Sequence, residues 1–240
     1  RRVTDLPPVL FLFSGQGSQQ GGMGRELHAR FPVFRDVLER CEELAAPRLG
    51  HSLLEVMFAE ADPRLQDTRC TQPAIYAHQA ALTALWRERG VHPAAVFGHS
   101  IGEYAAAHAA GVYDLETGLS IALRRGELAA AVADQGAMAA ILGDEAEVAA
   151  VLAAFPGVAI AAVNGPATVT IAGARAEVEE ALRHLREQGL ESRPLPVSHA
   201  FHCPLIEPML ARFGSFLRGQ AFAEPQIPIL SGCTGEYVAA

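Results

Sequence analysis

The stretch Val96-Phe97-Gly98-His99-Ser100-Ile101-Gly102-Glu103-Tyr104 sets one serine between two glycines, after an apolar strand-forming run and before a helix-forming one. Few architectures accept such a stretch. A strand that turns sharply into a helix, with glycines where the turn leaves no room for side chains, belongs to an α/β sheet of parallel strands alternating with helices. In that setting G-x-S-x-G lifts the Ser100 hydroxyl above the sheet and puts it at a helix N-terminus, where backbone amides stabilise negative charge. On the pattern alone Ser100 is either a nucleophile or a helix cap, and both readings stay open.

The flanking sequence supports the α/β reading. Val9-Leu10-Phe11-Leu12-Phe13 is a continuous apolar run ending in a glycine-rich turn, which predicts a strand buried on both faces. Residues 72–89 keep helical spacing (Ile75, Leu82, Leu85, Trp86), with Pro73 in the first turn and Gly90 as the stop. A strand over 95–97 leads into the serine motif, 103–110 reads as a helix ended by Gly111, and Asp114 caps the next helix, running to about Val132.

From Met138 the order changes. The pattern predicts a strand over 138–142, a helix over 145–155, strands over 158–163 and 168–172 split by Asn164-Gly165-Pro166, a helix over 174–188 and a strand from about 190 to 197. That βαββαβ order is ferredoxin-like. The expected organisation is an α/β-hydrolase-like large subdomain with a parallel sheet and nucleophile elbow (1–134 and 199–240), carrying an inserted ferredoxin-like small subdomain (135–198). The large sheet resumes over 227–230, and a cleft between the two parts is the expected place for a substrate.

Composition removes several function classes. With 19 Lys and Arg against 27 Asp and Glu, a formal charge of -8 and no basic run, the chain is not built to neutralise a phosphate backbone, which argues against nucleic acid. No apolar run reaches membrane-spanning length. The four cysteines (Cys41, Cys70, Cys203, Cys233) lie far apart without metal-ligand spacing, so no metal site is expected and a reducing, cytoplasmic compartment fits. The absence of an initiator methionine reads as a segment of a longer chain.

Three further stretches carry chemistry. A serine hydroxyl needs a base, and Val197-Ser198-His199-Ala200-Phe201-His202-Cys203-Pro204 offers two histidines where the chain leaves the small module. Arg125 shares a helix face with Ile121, Leu128 and Val132, so it faces inward; either a distant carboxylate or a substrate carboxylate satisfies it. Ser14-Gly15-Gln16-Gly17-Ser18-Gln19 lacks phosphate-loop spacing, and its glycines at a strand end either let a backbone N–H approach a reacting oxygen beside the amide of Ile101 or form a merely flexible loop.

Taken in order, FSGQGSQ, TQPAIYAHQAALTALW, GHSIGEYAAAHAAG, LRRGELAA, AAVNGP and VSHAFH cover nearly the whole chain. As a set they resemble the acyltransferase domain of modular type I polyketide synthases, relatives of malonyl-CoA:acyl-carrier-protein transacylase. The resemblance implies an acyl-enzyme on Ser100 with His202 as base, an oxyanion hole from the amides of Gln16 and Ile101, and Arg125 as the clamp on a malonyl carboxylate. His199, Phe201, Gln72 and His99, within the same motifs, are implied as substrate-binding residues. It further implies malonyl-CoA as acyl donor, a phosphopantetheinylated acyl carrier protein as acceptor, neighbouring domains of a larger synthase as partners, and no bound cofactor.

Within that resemblance HAFH is similar to the malonyl-type motif, Phe201 filling space that an α-methyl needs, and Ile101 stands where methylmalonyl-type members often carry glutamine. Cys203 and Gln20 stand where serine and tryptophan are frequent. Members continue past a motif like Thr234-Gly235-Glu236 with a segment whose backbone carbonyl orients the histidine; with no acidic partner in a motif, a dyad rather than a triad is expected. A serine esterase or thioesterase with the same elbow is the alternative enzyme, and a non-catalytic docking module the alternative to an enzyme.

Overall fold

The computed structural model describes residues 7–132, 136–195 and 200–238. They fall into two compact units, one from residues 1–127 with 217–240 and the other from 128–216.

In the first unit β1 (Leu10–Phe13), β2 (Ala95–Gly98) and β7 (Ile229–Leu230) form a parallel sheet in the order β1-β2-β7. Leu12 stands opposite Phe97, Phe13 opposite Gly98, and Phe97 opposite Leu230. β1 departs from the expectation of burial on both faces: Leu10 is 45% and Leu12 70% exposed, and only Phe13 is buried. Among the described residues β1 is an edge strand with β2 on one side alone, so an apolar run that suits a central strand covers only part of its surface.

Helices surround this sheet: α1 (Arg25–Arg30), α2 (Pro32–Leu49), α3 (Leu53–Phe58), α4 (Thr68–Glu88), α5 (Gly102–Ala109) and α6 (Leu115–Ala130). α2 buries Phe34, Leu38, Cys41 and Ala45, spaced four, three and four residues apart, and Pro32 opens it where a missing N–H costs nothing. α4 starts at Thr68, four residues before the sequence reading, because the Asp67 carboxylate accepts from the Arg69 N–H and caps it; Pro73 then lies inside the helix. Its buried face joins Tyr76 to Phe34, Leu38, Met57, Ile101, Leu119 and Leu123 in one core. Full burial of a side chain of this size contributes about 1.5–3 kcal/mol.

The second unit contains β3 (Gly136–Leu142), α7 (Glu145–Leu152), β4 (Val158–Gly165), β5 (Thr168–Ala174), α8 (Arg175–Glu187) and β6 (Glu191–Pro194), followed by α9 (Glu207–Leu217). Its strands form an antiparallel sheet in the order β4-β5-β3-β6, which with the βαββαβ sequence makes the ferredoxin-like arrangement. α8 lays Val178, Ala181, Leu182 and Leu185 against that sheet, and a capping box between Asp144 and Glu147 starts α7. β6 is shorter than the predicted strand, and residues 196–199, His199 among them, lie outside the described residues. The unit boundaries differ from those drawn on the sequence: the first falls inside α6, and residues 200–216 group with the second sheet. No described helix is long and apolar enough to cross a membrane.

Candidate active site

Ser100 stands where β2 turns into α5, and its φ of 53° is left-handed. A β-carbon resists that conformation, at a cost of about 1–3 kcal/mol, so the surrounding packing must impose it. The glycines do so. A β-carbon on Gly98 would stand 2.3 Å from the Glu103 nitrogen, and one on Gly102 2.3 Å from the Phe13 oxygen and 2.7 Å from the Ser14 oxygen. The turn is therefore folded tightly on itself at Gly98 and pressed against the end of β1 at Gly102, and a side chain at either position would force it open. The His99 N–H donates to the Phe13 carbonyl at 2.9 Å, and the Gly102 and Glu103 amides bond back to the His99 and Ser100 carbonyls. Glu103 Oε1 accepts from the Gly232 N–H at 3.0 Å, tying the turn to the chain after β7.

Ser100 is half-buried, with the fully buried Ile101 anchoring the turn in the core behind it. None of the described hydrogen bonds uses the amide N–H of Ile101 or of Gln16. Both amides lie where the loop after β1 meets the turn: a β-carbon on Gly15 would stand 2.6 Å from His99 Nδ1 and 2.9 Å from the His99 oxygen. His99 itself is exposed beside that loop.

The start of α4 joins the rest of the unit. Gln16 Nε2 donates to Thr68 Oγ1 at 3.3 Å, and a β-carbon on Gly126 of α6 would stand 2.8 Å from the Thr68 oxygen. One turn after Thr68, Gln72 is fully buried, and neither Nε2 nor Oε1 of its amide has a hydrogen-bond partner among the described residues. A buried amide without a partner is expensive.

Next to Gly126 on α6, Arg125 is half-buried with its guanidinium carbon 5.7 Å from the centroid of the Tyr104 ring. Burial pushes the Tyr104 phenol up and the Arg125 guanidinium pulls it partly back, so the phenol keeps its proton at neutral pH. Its neighbour Arg124 is also half-buried and bonds Glu127 at 3.1 Å. Tyr104 escaped the sequence reading, although it lies in the serine motif one helical turn from Ser100, on the helix that Ser100 opens.

In the second unit His202 is exposed, with a φ of 58°. Phe201 beside it is 8% exposed and its N–H donates to Met138 Sδ at 3.5 Å, while Ala200 packs so closely on Gly136 that a β-carbon there would meet Ala200 Cβ at 2.4 Å. Cys203 fills space: burial pushes its thiol up, which keeps it un-ionised. Among the described residues the non-glycine residues with positive φ are Ser100 and His202. No group of three or more His, Cys, Asp or Glu side chains among them is arranged to hold a metal ion.

A family model described as "Acyl transferase domain" matches residues 10–237. The chain is 44% identical over 233 residues to the spectinabilin polyketide synthase system protein NorB of Streptomyces orinoci, covering 95% of this chain and 11% of that protein. It superposes with a TM-score of 0.91 and 44% identity on the acyltransferase domain from the second module of the salinomycin polyketide synthase, over 98% of this chain and 55% of that one. A type II polyketide synthase acyl-carrier protein in complex with its malonyl-transacylase matches with a TM-score of 0.89 and 30% identity, over 98% and 77%. The chain thus spans about half of the first of these structures and about a tenth of the synthase protein.

Proposed function

The chain belongs to the acyl transferase domain family, and from that membership we propose that it moves a malonyl group from coenzyme A to the phosphopantetheine thiol of an acyl carrier protein through an ester on Ser100. The observation that carries this reading is the pair of backbone outliers. Strain at a non-glycine residue persists only where structure over-determines it, and Ser100 and His202 are the two positions at which nucleophile and base are expected.

In the proposed first half-reaction Ser100 Oγ attacks the thioester carbonyl as its proton passes to His202. The oxyanion is held by the N–H groups of Gln16 and Ile101, and loss of one such donor typically costs about 10²–10³ in kcat. Collapse breaks the C–S bond, and the coenzyme A sulfur leaves with the proton from His202. In the second half the carrier thiol gives its proton to His202 and attacks the ester, and Ser100 departs with that proton. The sequence is ping-pong.

Arg125 is proposed to clamp the malonyl carboxylate through its fork of N–H donors, with the Tyr104 ring centroid 5.7 Å from its guanidinium carbon. The Gln72 amide, with both polar atoms unpartnered among the described residues, is proposed to bond the bound acyl group, and His99 and His199 to line its approach. Phe201, buried beside His202, is proposed to disfavour an α-methyl, and Ile101, in place of the glutamine frequent in methylmalonyl-type members, to go with the malonyl preference. The partners are then an acyl-CoA, a carrier protein and neighbouring synthase domains, with neither nucleic acid nor membrane. The free thiols of Cys41, Cys70, Cys203 and Cys233 suit a reducing cytoplasm.

The alternative is hydrolysis of the same ester. Transfer is favoured by membership of the acyl transferase domain family, and the two are separated by partitioning: with a loaded malonyl-enzyme, added carrier protein should capture most of the acyl group, whereas a hydrolase releases malonate at a rate indifferent to the carrier.

A further inference from the structure

A chain of hydrogen bonds leads from the interior of α4 to the peptide group that bears the Gln16 N–H. Gln79, 8% exposed, donates through Nε2 to the Ser14 carbonyl at 2.8 Å and to Ser14 Oγ at 3.1 Å. Ser14 Oγ donates to Ser18 Oγ at 2.9 Å, and Ser18 Oγ donates to the Gly15 carbonyl at 2.8 Å. Each step has a settled direction. A carbonyl only accepts, so Nε2 of Gln79 is the atom that faces Ser14, and a hydroxyl that accepts from it passes its own hydrogen onward.

The end of the chain matters because the Gly15 carbonyl and the Gln16 N–H belong to one rigid peptide plane. Whatever fixes the carbonyl aims the N–H. The plane needs fixing: one of its two hinges is Gly15, which has no β-carbon to limit its ψ. The backbone contributes little here, since the Ser18 N–H reaches the Gly15 carbonyl only at 3.4 Å. Linked donors also polarise one another, by about 10–30% per bond, so a carbonyl at the end of such a relay has an N–H that is a stronger donor on its other side.

We propose that Gln79, acting through Ser14 and Ser18, is a positioning residue that orients and polarises the Gly15–Gln16 peptide toward the oxyanion. This rests on Gln16 being an oxyanion donor. A Gln79 that merely satisfied the end of β1 would influence stability and leave the transition state alone.

The test uses the full chain as wild type, Ser18→Ala, Ser18→Thr, Gln79→Met and the Ser18→Ala/Gln79→Met pair, with three readouts: single-turnover ester formation from malonyl-CoA, the KM of the donor, and affinity for a boronic acid that forms a tetrahedral adduct on serine. Ser18 is exposed, so its alanine variant keeps the fold whatever happens at Gln79. Ser18→Ala and Gln79→Met should each slow ester formation about 10–100-fold, less than deletion of a donor and more than a surface change. KM should stay within about twofold and boronic acid affinity should fall in step with the rate. Ser18→Thr should restore both, and the pair should be no worse than its worse member, because both break one chain. Ser18→Ala at the wild-type rate with wild-type boronic acid affinity overturns the proposal, as does full additivity of the pair. If the wild type forms no ester, malonyl transfer itself fails; the boronic acid affinities then decide the relay alone, equal values overturning it.

Discussion

The guanidinium carbon of Arg125 lies 5.7 Å from the centroid of the Tyr104 ring, so a helix opened by the serine turn supports a cation on another helix. If Arg125 holds a malonyl carboxylate, Arg125→Ala should lower kcat/KM for malonyl-CoA about 100-fold and leave acetyl-CoA within about threefold. Arg125→Lys should fall between, keeping the charge and losing the fork. Tyr104→Leu removes an interaction worth about 0.5–2 kcal/mol and should cost about 2–30-fold for malonyl-CoA alone. Equal losses for both donors would contradict the clamp.

The glycines of the turn should tolerate no side chain. Gly102→Ala puts a β-carbon against two backbone oxygens, which have nowhere to move without shifting β1. We expect a loss of about 1–3 kcal/mol in denaturant unfolding, together with loss of ester formation, because the turn that aims Ser100 relaxes. An alanine variant with wild-type stability and wild-type acylation would show that the turn is not held as described.

Two histidines give the fold an acid-side weakness. Burial lowers His78 below the ordinary value of 6.5, and burial lowers His108 in the same direction, its bond to the Tyr113 carbonyl opposing. As pH falls from 6.5 through the folded values, the unfolded chain binds protons that the native chain refuses, so this stability is full above 6.5 and declines below it. Asp62, bonded by Arg64, and Asp114, bonded by the Thr117 N–H, are held below 3.8, and their contributions vanish only at still lower pH. Urea midpoints should therefore drop between about pH 7.5 and about pH 5.5, and His78→Gln and His108→Gln should each flatten the drop. A slope unchanged in both variants would refute the assignment.

Donor choice should be a preference. One methyl group in an apolar pocket is worth about 1–3 kcal/mol, so Phe201→Ser combined with His199→Tyr should raise kcat/KM for methylmalonyl-CoA relative to malonyl-CoA by about tenfold or more. An unchanged ratio would sink the steric role of Phe201.

How legible all this was in the sequence depends on how local each cause is. The serine turn was readable because its determinants, Gly98 and Gly102, flank it, and the βαββαβ order because each element there carries its own period, as Val178, Leu182 and Leu185 do on α8. α2 shows its period in the spacing of Phe34, Leu38, Cys41 and Ala45, whereas Pro73 mimics an opening residue for α4 and hides Asp67, the actual cap. The exposure of β1 is not legible for a different reason: an apolar run reports what a strand can bury, while its neighbours decide what it does bury. The left-handed His202 and the bond from Gln79 to Ser14 had no local signal, the second joining residues 65 apart. Arg125 was read as inward from helical spacing, and the aromatic partner that holds it was not, since helix crossing is a tertiary property.

The most direct test of the account is the intact mass of the chain after brief exposure to malonyl-CoA, for the wild type beside Ser100→Ala and His202→Ala. The account predicts a malonyl adduct on the wild type, none on Ser100→Ala, and one that accumulates at least about 100-fold more slowly on His202→Ala. An adduct that persists in Ser100→Ala, or a His202→Ala variant that acylates at the wild-type rate, would contradict it.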